Sequence, residues 1–163
     1  MNNKKYILGI DPGTKGSITV LNIYTLQISI IDFRQHNYTV VHKFLDSIKE
    51  KIIVAYIENV LGFIVIKPKE GSDKPAFGAN TFKLGKEVGI INFIVTEMCK
   101  INTVLVTAQV WQKKVLGQTN KGNKQLCVEK ARQLFAASKL KFDKENSDSV
   151  LLAYYGYLTY TKG

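Results

Sequence analysis

Residues 6–22 read YILGIDPGTKGSITVLN: an apolar, β-branched run stops at an acid, turns through Pro12-Gly13-Thr14-Lys15-Gly16 and enters a second apolar run. Two such runs joined by a short Gly-containing turn describe a β-hairpin. A solvated turn tolerates an acid, so Asp11 taken alone is equally a turn residue or a carboxylate held rigidly at a strand end. The rest of the chain has to decide between these.

A third run at 27–33 (QISIIDF) extends the runs at 5–11 and 16–22 into an antiparallel meander. Residues 38–50 place Val41, Phe44, Leu45 and Ile48 at helical spacing. KIIVAYIEN, 51–59, is almost continuously apolar, the pattern of a central strand covered on both faces. Residues 60–78 mix apolar residues with Pro, Gly and Lys and predict a long exposed loop, a kind of segment that is usually functional or mobile. The pattern then predicts a helix over about 79–99, a short strand at 103–106, a basic amphipathic helix at 122–137 and a closing helix at 145–160. Without repeats, low-complexity tracts or composition breaks, residues 1–163 are expected to form one α/β domain.

With 163 residues, 45% hydrophobic and 22% charged, the composition is that of an ordinary soluble protein. No apolar run approaches the roughly 20 residues that span a bilayer. The basic start MNNKK reaches Asp11 too soon for a signal peptide, which predicts no membrane partner and a cytoplasmic location. Cys99 and Cys127 belong to no CxxC or Cys/His cluster and read as buried, reduced thiols. The net charge of +10 predicts attraction to a polyanion, of which nucleic acid is the commonest. Arg34 and Arg132 are the only arginines, so the positive charge is almost all lysine. Lysine meets phosphate as a point charge, whereas bidentate guanine reading favours arginine, so backbone or shape recognition is expected.

Most of the 13 acids lie among lysines in polar stretches, where solvation explains them. Four do not. Asp11 ends the first strand, Glu58 ends the most apolar strand, Asp148 opens SVLLAYYGYL, and Glu145 lies three residues before it. A carboxylate pressed against a core requires a cation, and several together repel one another unless a metal neutralises them. Hard oxygen donors without His or Cys suit Mg or Mn rather than Zn. His36 and His42 lie in surface-like sequence and read as surface residues.

The order of these acids and the phrases around them resemble the RuvC-like Holliday junction resolvases, bacterial and phage type, of the ribonuclease H-like superfamily. The phrases are ILGIDPGTKGS, AYIENV, NTFKLGKEVGII, VTAQVWQKKVLG, NKQLCVEKARQLF and ENSDSVLLAYYGY, running from residue 7 to about 157 in family order. The resemblance implies a ribonuclease H-like fold with a mixed five-stranded sheet flanked by helices. It implies an endonuclease that resolves four-way DNA junctions by paired symmetric nicks, as a homodimer, with two Mg or Mn ions about 3.5–4 Å apart in each site. Whether a branch-migration helicase takes part is not readable. The family's catalytic, metal-binding acids fall on Asp11, Glu58 and Asp148, with Glu145 as fourth ligand and Asp143 as its competitor. At that fourth place relatives carry Asp or His, so Glu145 departs in residue type and keeps the charge. Lys124 matches a catalytic basic position; Lys113 or Lys114 matches the other. Lys15 and Lys121 are further candidates for DNA contact, and Phe63 and Phe77 are candidates for a wedge in the junction or for ordinary loop anchoring. Trp111 reads as a core or interface residue, and Phe82 and Gly85 as packing against a dimer mate.

Three rivals share some of these residues. DPGTKGS also resembles the first phosphate loop of the actin and sugar-kinase ATPases, but no second DxGxxT loop appears and the length leaves room for one of the two domains they need. A non-cleaving junction-binding protein has no use for acids facing phosphate. A ribonuclease H-like nuclease acting on another branched or RNA-containing substrate uses the same metal chemistry, and the residues alone do not separate it from a resolvase.

Overall fold

The computed structural model describes residues 4–60 and 79–162. Phe63 and Phe77 lie outside the described residues, as does nearly all of the expected loop. The meander forms as its β-branched runs predict: β1 (Tyr6–Asp11), β2 (Ser17–Asn22) and β3 (Ile28–Asp32) pair antiparallel in sequence order. Helix α1 (Tyr38–Ile48) starts where the Asn37 side chain accepts a hydrogen bond from the Val40 amide, and it buries Val41 and Leu45. A short 3₁₀ turn leads into β4 (Ile52–Glu58). Helix α2 (Ala79–Phe93) runs into a widened π turn at Ile94–Met98, so the predicted 79–99 helix changes its winding in its last turn. There follow β5 (Thr103–Val106), α3 (Ala108–Leu116), α4 (Lys124–Leu134) and α5 (Ser147–Lys162). Helix α5 begins two residues later than the sequence suggests, which leaves Glu145 in the turn before it.

The five strands form one mixed sheet in the order β3-β2-β1-β4-β5, with β1, β4 and β5 parallel. Side chains alternate across it. Leu8, Ile10, Ile18, Ile31, Ala55 and Ile57 face α1 and α2 and form one core with Val41, Leu45, Ile91 and Val95. Ile7, Leu21 and Tyr56 face the other way and pack with Trp111, Val115, Cys127, Ala131, Leu151 and Leu152. The near-continuous apolar character of β4 follows from its place between these two helical layers. Among the described residues no helix is long and apolar enough to cross a membrane.

Register places the polar residues together. Asp11 pairs with Ser17, and Ser17 with Asp32. Ile10 pairs with Ile57 in the parallel ladder, so the next rung sets Asp11 beside Glu58. One row across the sheet end therefore reads Asp32, Ser17, Asp11, Glu58, all on the face that α5 covers. Two residues back on that face is Gly9, where a Cβ would overlap the backbone of Ser149 and Ala153. Only glycine lets α5 lie directly on β1, and that close approach carries the first turn of α5 to the carboxylate row.

Candidate active site

Asp11 leaves β1 into a tight turn. The Gly13 amide donates to its Oδ1 at 3.1 Å, and the Gly16 amide donates to the Gly13 carbonyl at 2.8 Å. A side chain at Gly16 would overlap the Asp11 carbonyl, so the glycines of DPGTKGS fold the turn against the acid they follow. Glu58, at the end of β4, is held from α3: the indole N–H of Trp111 donates to its Oε2 at 3.1 Å. Asp148 stands in the first turn of α5 and is 6% exposed. Its Oδ2 lies 3.1 Å from Lys124 Nζ, whereas its Oδ1 is buried without a hydrogen-bond partner among the described residues.

The next residue fixes that turn. The Ser149 hydroxyl donates to the Asn146 carbonyl at 3.0 Å and is in hydrogen-bond contact with Ser17 at 2.7 Å and Thr19 at 2.8 Å, all buried. With its one proton given to Asn146, Ser149 accepts from the two β2 hydroxyls. Lys124 is aimed by the α3–α4 turn, in which Lys121 and Gly122 take left-handed backbone. There the Asn120 amide donates to Gln112 Oε1 at 3.0 Å, and its side chain donates to Cys127 Sγ at 3.4 Å.

The two contenders at the start of α5 differ. Asp143 Oδ1 accepts from the amides of Glu145 (2.9 Å) and Asn146 (3.0 Å), and its Oδ2 accepts from Arg34 at 2.9 Å. Arg34 also grips Asp32 in a bidentate pair, Nε donating to Oδ1 and Nη2 to Oδ2. Asp143 is thus engaged at both oxygens. Glu145 is half-buried, and its charge acts on both Asp11 and Lys124.

Uncompensated negative charge characterises the cluster. Burial pushes the Asp11 carboxyl up, opposed by the Gly13 amide and reinforced by Asp148. Burial, then the charges of Asp11 and Asp148, push Glu58 up to about 7 against the Trp111 hydrogen bond and Lys124. Burial alone would lower Lys124; Asp148, Asp11 and Glu145 outweigh it and hold the ammonium charged above its usual range. Cys127, behind Asp148, is pushed up to about 12 chiefly by burial and then by the Asp148 charge, and is an inert thiol. Among the described residues no three carboxylate, imidazole or thiol side chains are gathered closely enough to enclose an ion by themselves. The carboxylates nonetheless suit a hard divalent cation: every donor is oxygen, Asp148 Oδ1 has no hydrogen-bond partner among the described residues, and one ammonium offsets several acids.

Of the other residues singled out from sequence, Lys15 is exposed in the β1–β2 turn beside Asp11, and Lys113 and Lys121 are exposed on α3 and in the α3–α4 turn. Lys114 is directed along α5, 2.9 Å from Thr159 Oγ1 and over the Tyr155 ring. Trp111 is fully buried core, as expected. Sequence reasoning passed over Asp32, Arg34, Ser17, Thr19, Ser149 and Asn120. Only Asp32, a strand-end acid like Asp11, carried a signal of the same kind.

No protein-family model matches the chain, and no curated protein matches its sequence. Among solved structures it is similar to Thermus thermophilus RuvC, with TM-score 0.60 and 11% identity over 96% of each chain. It is also similar to T. thermophilus RuvC in complex with a Holliday junction substrate, with TM-score 0.63 and 11% identity over 97% of this chain and 96% of that one. At that identity the likeness is one of fold. The chain has the RuvC-like, ribonuclease H-like architecture.

Proposed function

We propose that this protein is a divalent-metal-dependent endonuclease that resolves four-way DNA junctions. The observation that carries the reading is that Asp11, Glu58 and Asp148, from three separate elements, act on one another's charge, with one Asp148 oxygen buried and without a hydrogen-bond partner among the described residues, in a strongly basic chain. The fold likeness supports it, and one of the similar structures is itself a junction complex.

Asp11, Glu58, Asp148 and Glu145 would hold the ions, two in the full reading, with Glu145 preferred because Asp143 is spent on Arg34 and on backbone amides. Bound Mg or Mn would supply charge stabilisation at the phosphodiester and activation of the attacking water. The chain's own part is orientation. The Gly13 amide and the Trp111 indole hold Asp11 and Glu58 in place before substrate arrives, so little rearrangement is needed on binding. Lys124 keeps a positive charge at the rim of the acids, suited to a phosphate oxygen beside the scissile bond. Lys15, Lys113 and Lys121 are exposed and serve the flanking backbone. Lys114 belongs with them only if it releases Thr159.

Two symmetric nicks require two sites, and a C2 homodimer provides them. Helix α2 offers a face for it. Phe82 and Phe93 are 76% and 58% exposed, and Gly85 and Gly89, between them on the same face, have open space where a Cβ would be. Large side chains flanking small ones let a second helix approach closely.

The test is cleavage of a synthetic four-way junction with and without Mg, beside linear duplex and an RNA–DNA hybrid. Paired symmetric nicks on the junction alone, requiring the ion, are expected. Tight binding without cuts would replace the reading with a junction-binding protein, and preferential cutting of the hybrid would replace it with RNA removal.

A further inference from the structure

Trp111 is the only tryptophan in the chain, and it is fully buried in α3. Its ring fills the core between the sheet and α5, a role that any large apolar side chain could serve. Its N–H does something that such a side chain could not. It reaches Oε2 of Glu58 at 3.1 Å, across 53 residues of sequence, at the end of the strand next to Asp11.

The chemistry of the donor is informative. A lysine or arginine in this place would orient the carboxylate but also neutralise it, and so compete with a cation. Indole is a donor only and carries no charge. It therefore fixes the carboxylate by one oxygen and leaves both its negative charge and its second oxygen available. Asp11 is treated in the same way, by the neutral amide of Gly13 on Oδ1. Gln112, the residue after Trp111, ties α3 to Asn120 in the turn that delivers Lys124, so the position of the indole is set by the same short segment that sets the ammonium.

We propose that Trp111 is a positioning residue for Glu58, holding it by Oε2 with its other oxygen directed to a divalent cation, and that this contact couples ion arrival to the indole. The inference rests on the metal-dependent reading above. Outer hydrogen-bond partners of metal ligands typically contribute 10–100-fold to metal affinity.

Because the tryptophan is unique, replacing every tryptophan by benzothienylalanine, which substitutes sulfur for the indole N–H at the same size, alters this one site. That variant and Trp111→Phe would be compared with the unaltered chain by calorimetric titration with Mn²⁺ and by thermal melting in chelator. Tryptophan emission of the unaltered chain would be followed during Mg²⁺ titration. Expected are a saturable emission change, absent in Glu58→Gln, and Mn²⁺ affinity about 10-fold or more weaker in the benzothienyl form at nearly unchanged melting. Equal affinity in the unaltered and benzothienyl proteins, or emission indifferent to saturating Mg²⁺, overturns the positioning role and leaves the nuclease reading standing. An unaltered chain that binds neither ion overturns both.

Discussion

The ammonium of Lys124 lies 3.1 Å from one oxygen of Asp148, while the other oxygen of the same carboxylate is buried without a hydrogen-bond partner among the described residues. The pair joins the start of α4 to the start of α5. It is half a compensation: the lysine satisfies one oxygen, and the charge of Asp148 still acts on both Asp11 and Glu58.

Lys124→Met should therefore weaken the ion-free protein and reduce cleavage. Truncating one partner of a buried pair is costly. Here the lysine side chain is 44% exposed, so solvent screening reduces the loss to about 1 kcal/mol. Melting in chelator and in Mg²⁺ checks this. The ion should restore more stability to the variant than to the parent, because it replaces the missing positive charge. Equal gains in both would separate Lys124 from the ion site.

Asp11→Asn, Glu58→Gln and Asp148→Asn should each abolish junction cleavage and leave junction binding largely intact, measured by gel shift beside a nicking assay. Glu145→Gln should reduce cleavage with little change in melting. Asp143→Asn should show the opposite pattern, because Asp143 closes the turn before α5 and binds Arg34. The reverse ranking would transfer the ligand role to Asp143.

Glu58 supplies a pH test. Its carboxyl is pushed from 4.5 to about 7, so the ion-free fold is penalised as pH rises through that interval and carries the full penalty above it. That shift corresponds to roughly 3 kcal/mol. Glu58→Gln should be more stable than the parent in chelator at pH 8, with the advantage fading to nothing near pH 4.5. Urea unfolding across this range reads it directly. Parallel stability profiles would mean that Glu58 is not strained by burial.

The clasp of Asp32, Arg34 and Asp143 has the opposite sign. Arg34 holds Asp32 below the ordinary 3.8 despite burial. Asp143, which burial alone would raise, is lowered by Arg34 and two backbone amides. Stability from these pairs is complete above pH about 4 and is lost as pH falls through the depressed values. Arg34→Gln should cost about 0.5–1 kcal/mol at neutral pH, the partial exposure of Arg34 and Asp143 being allowed for, and progressively less below pH 4. A loss that does not change with pH would show packing rather than charge.

Much of this was legible from the residues. The hairpin and meander follow from β-branched runs broken by Asp-Pro-Gly, and the central place of β4 from its unbroken apolar run. The unusual acids stood out because charge at the end of a buried strand is costly. The helix ends at 93–99, 124 and 147 were less legible, because capping and the π turn depend on local backbone geometry that hydrophobic period does not encode.

The amino-acid sequence by itself determined which segments pair and which are amphipathic, since those follow from periodicity and from the backbone preferences of glycine, proline and β-branched residues. It also singled out Asp11, Glu58 and Asp148 as acids in the wrong place for solvent. Only the tertiary structure decided what surrounds them. Gly9 lets α5 settle on β1, Trp111 reaches Glu58 from 53 residues away, and Arg34 reaches Asp143 from 109. Such contacts leave no periodic trace in sequence: a hydrogen bond needs one donor and one acceptor at the right distance, and that distance exists only after the sheet and helices have packed.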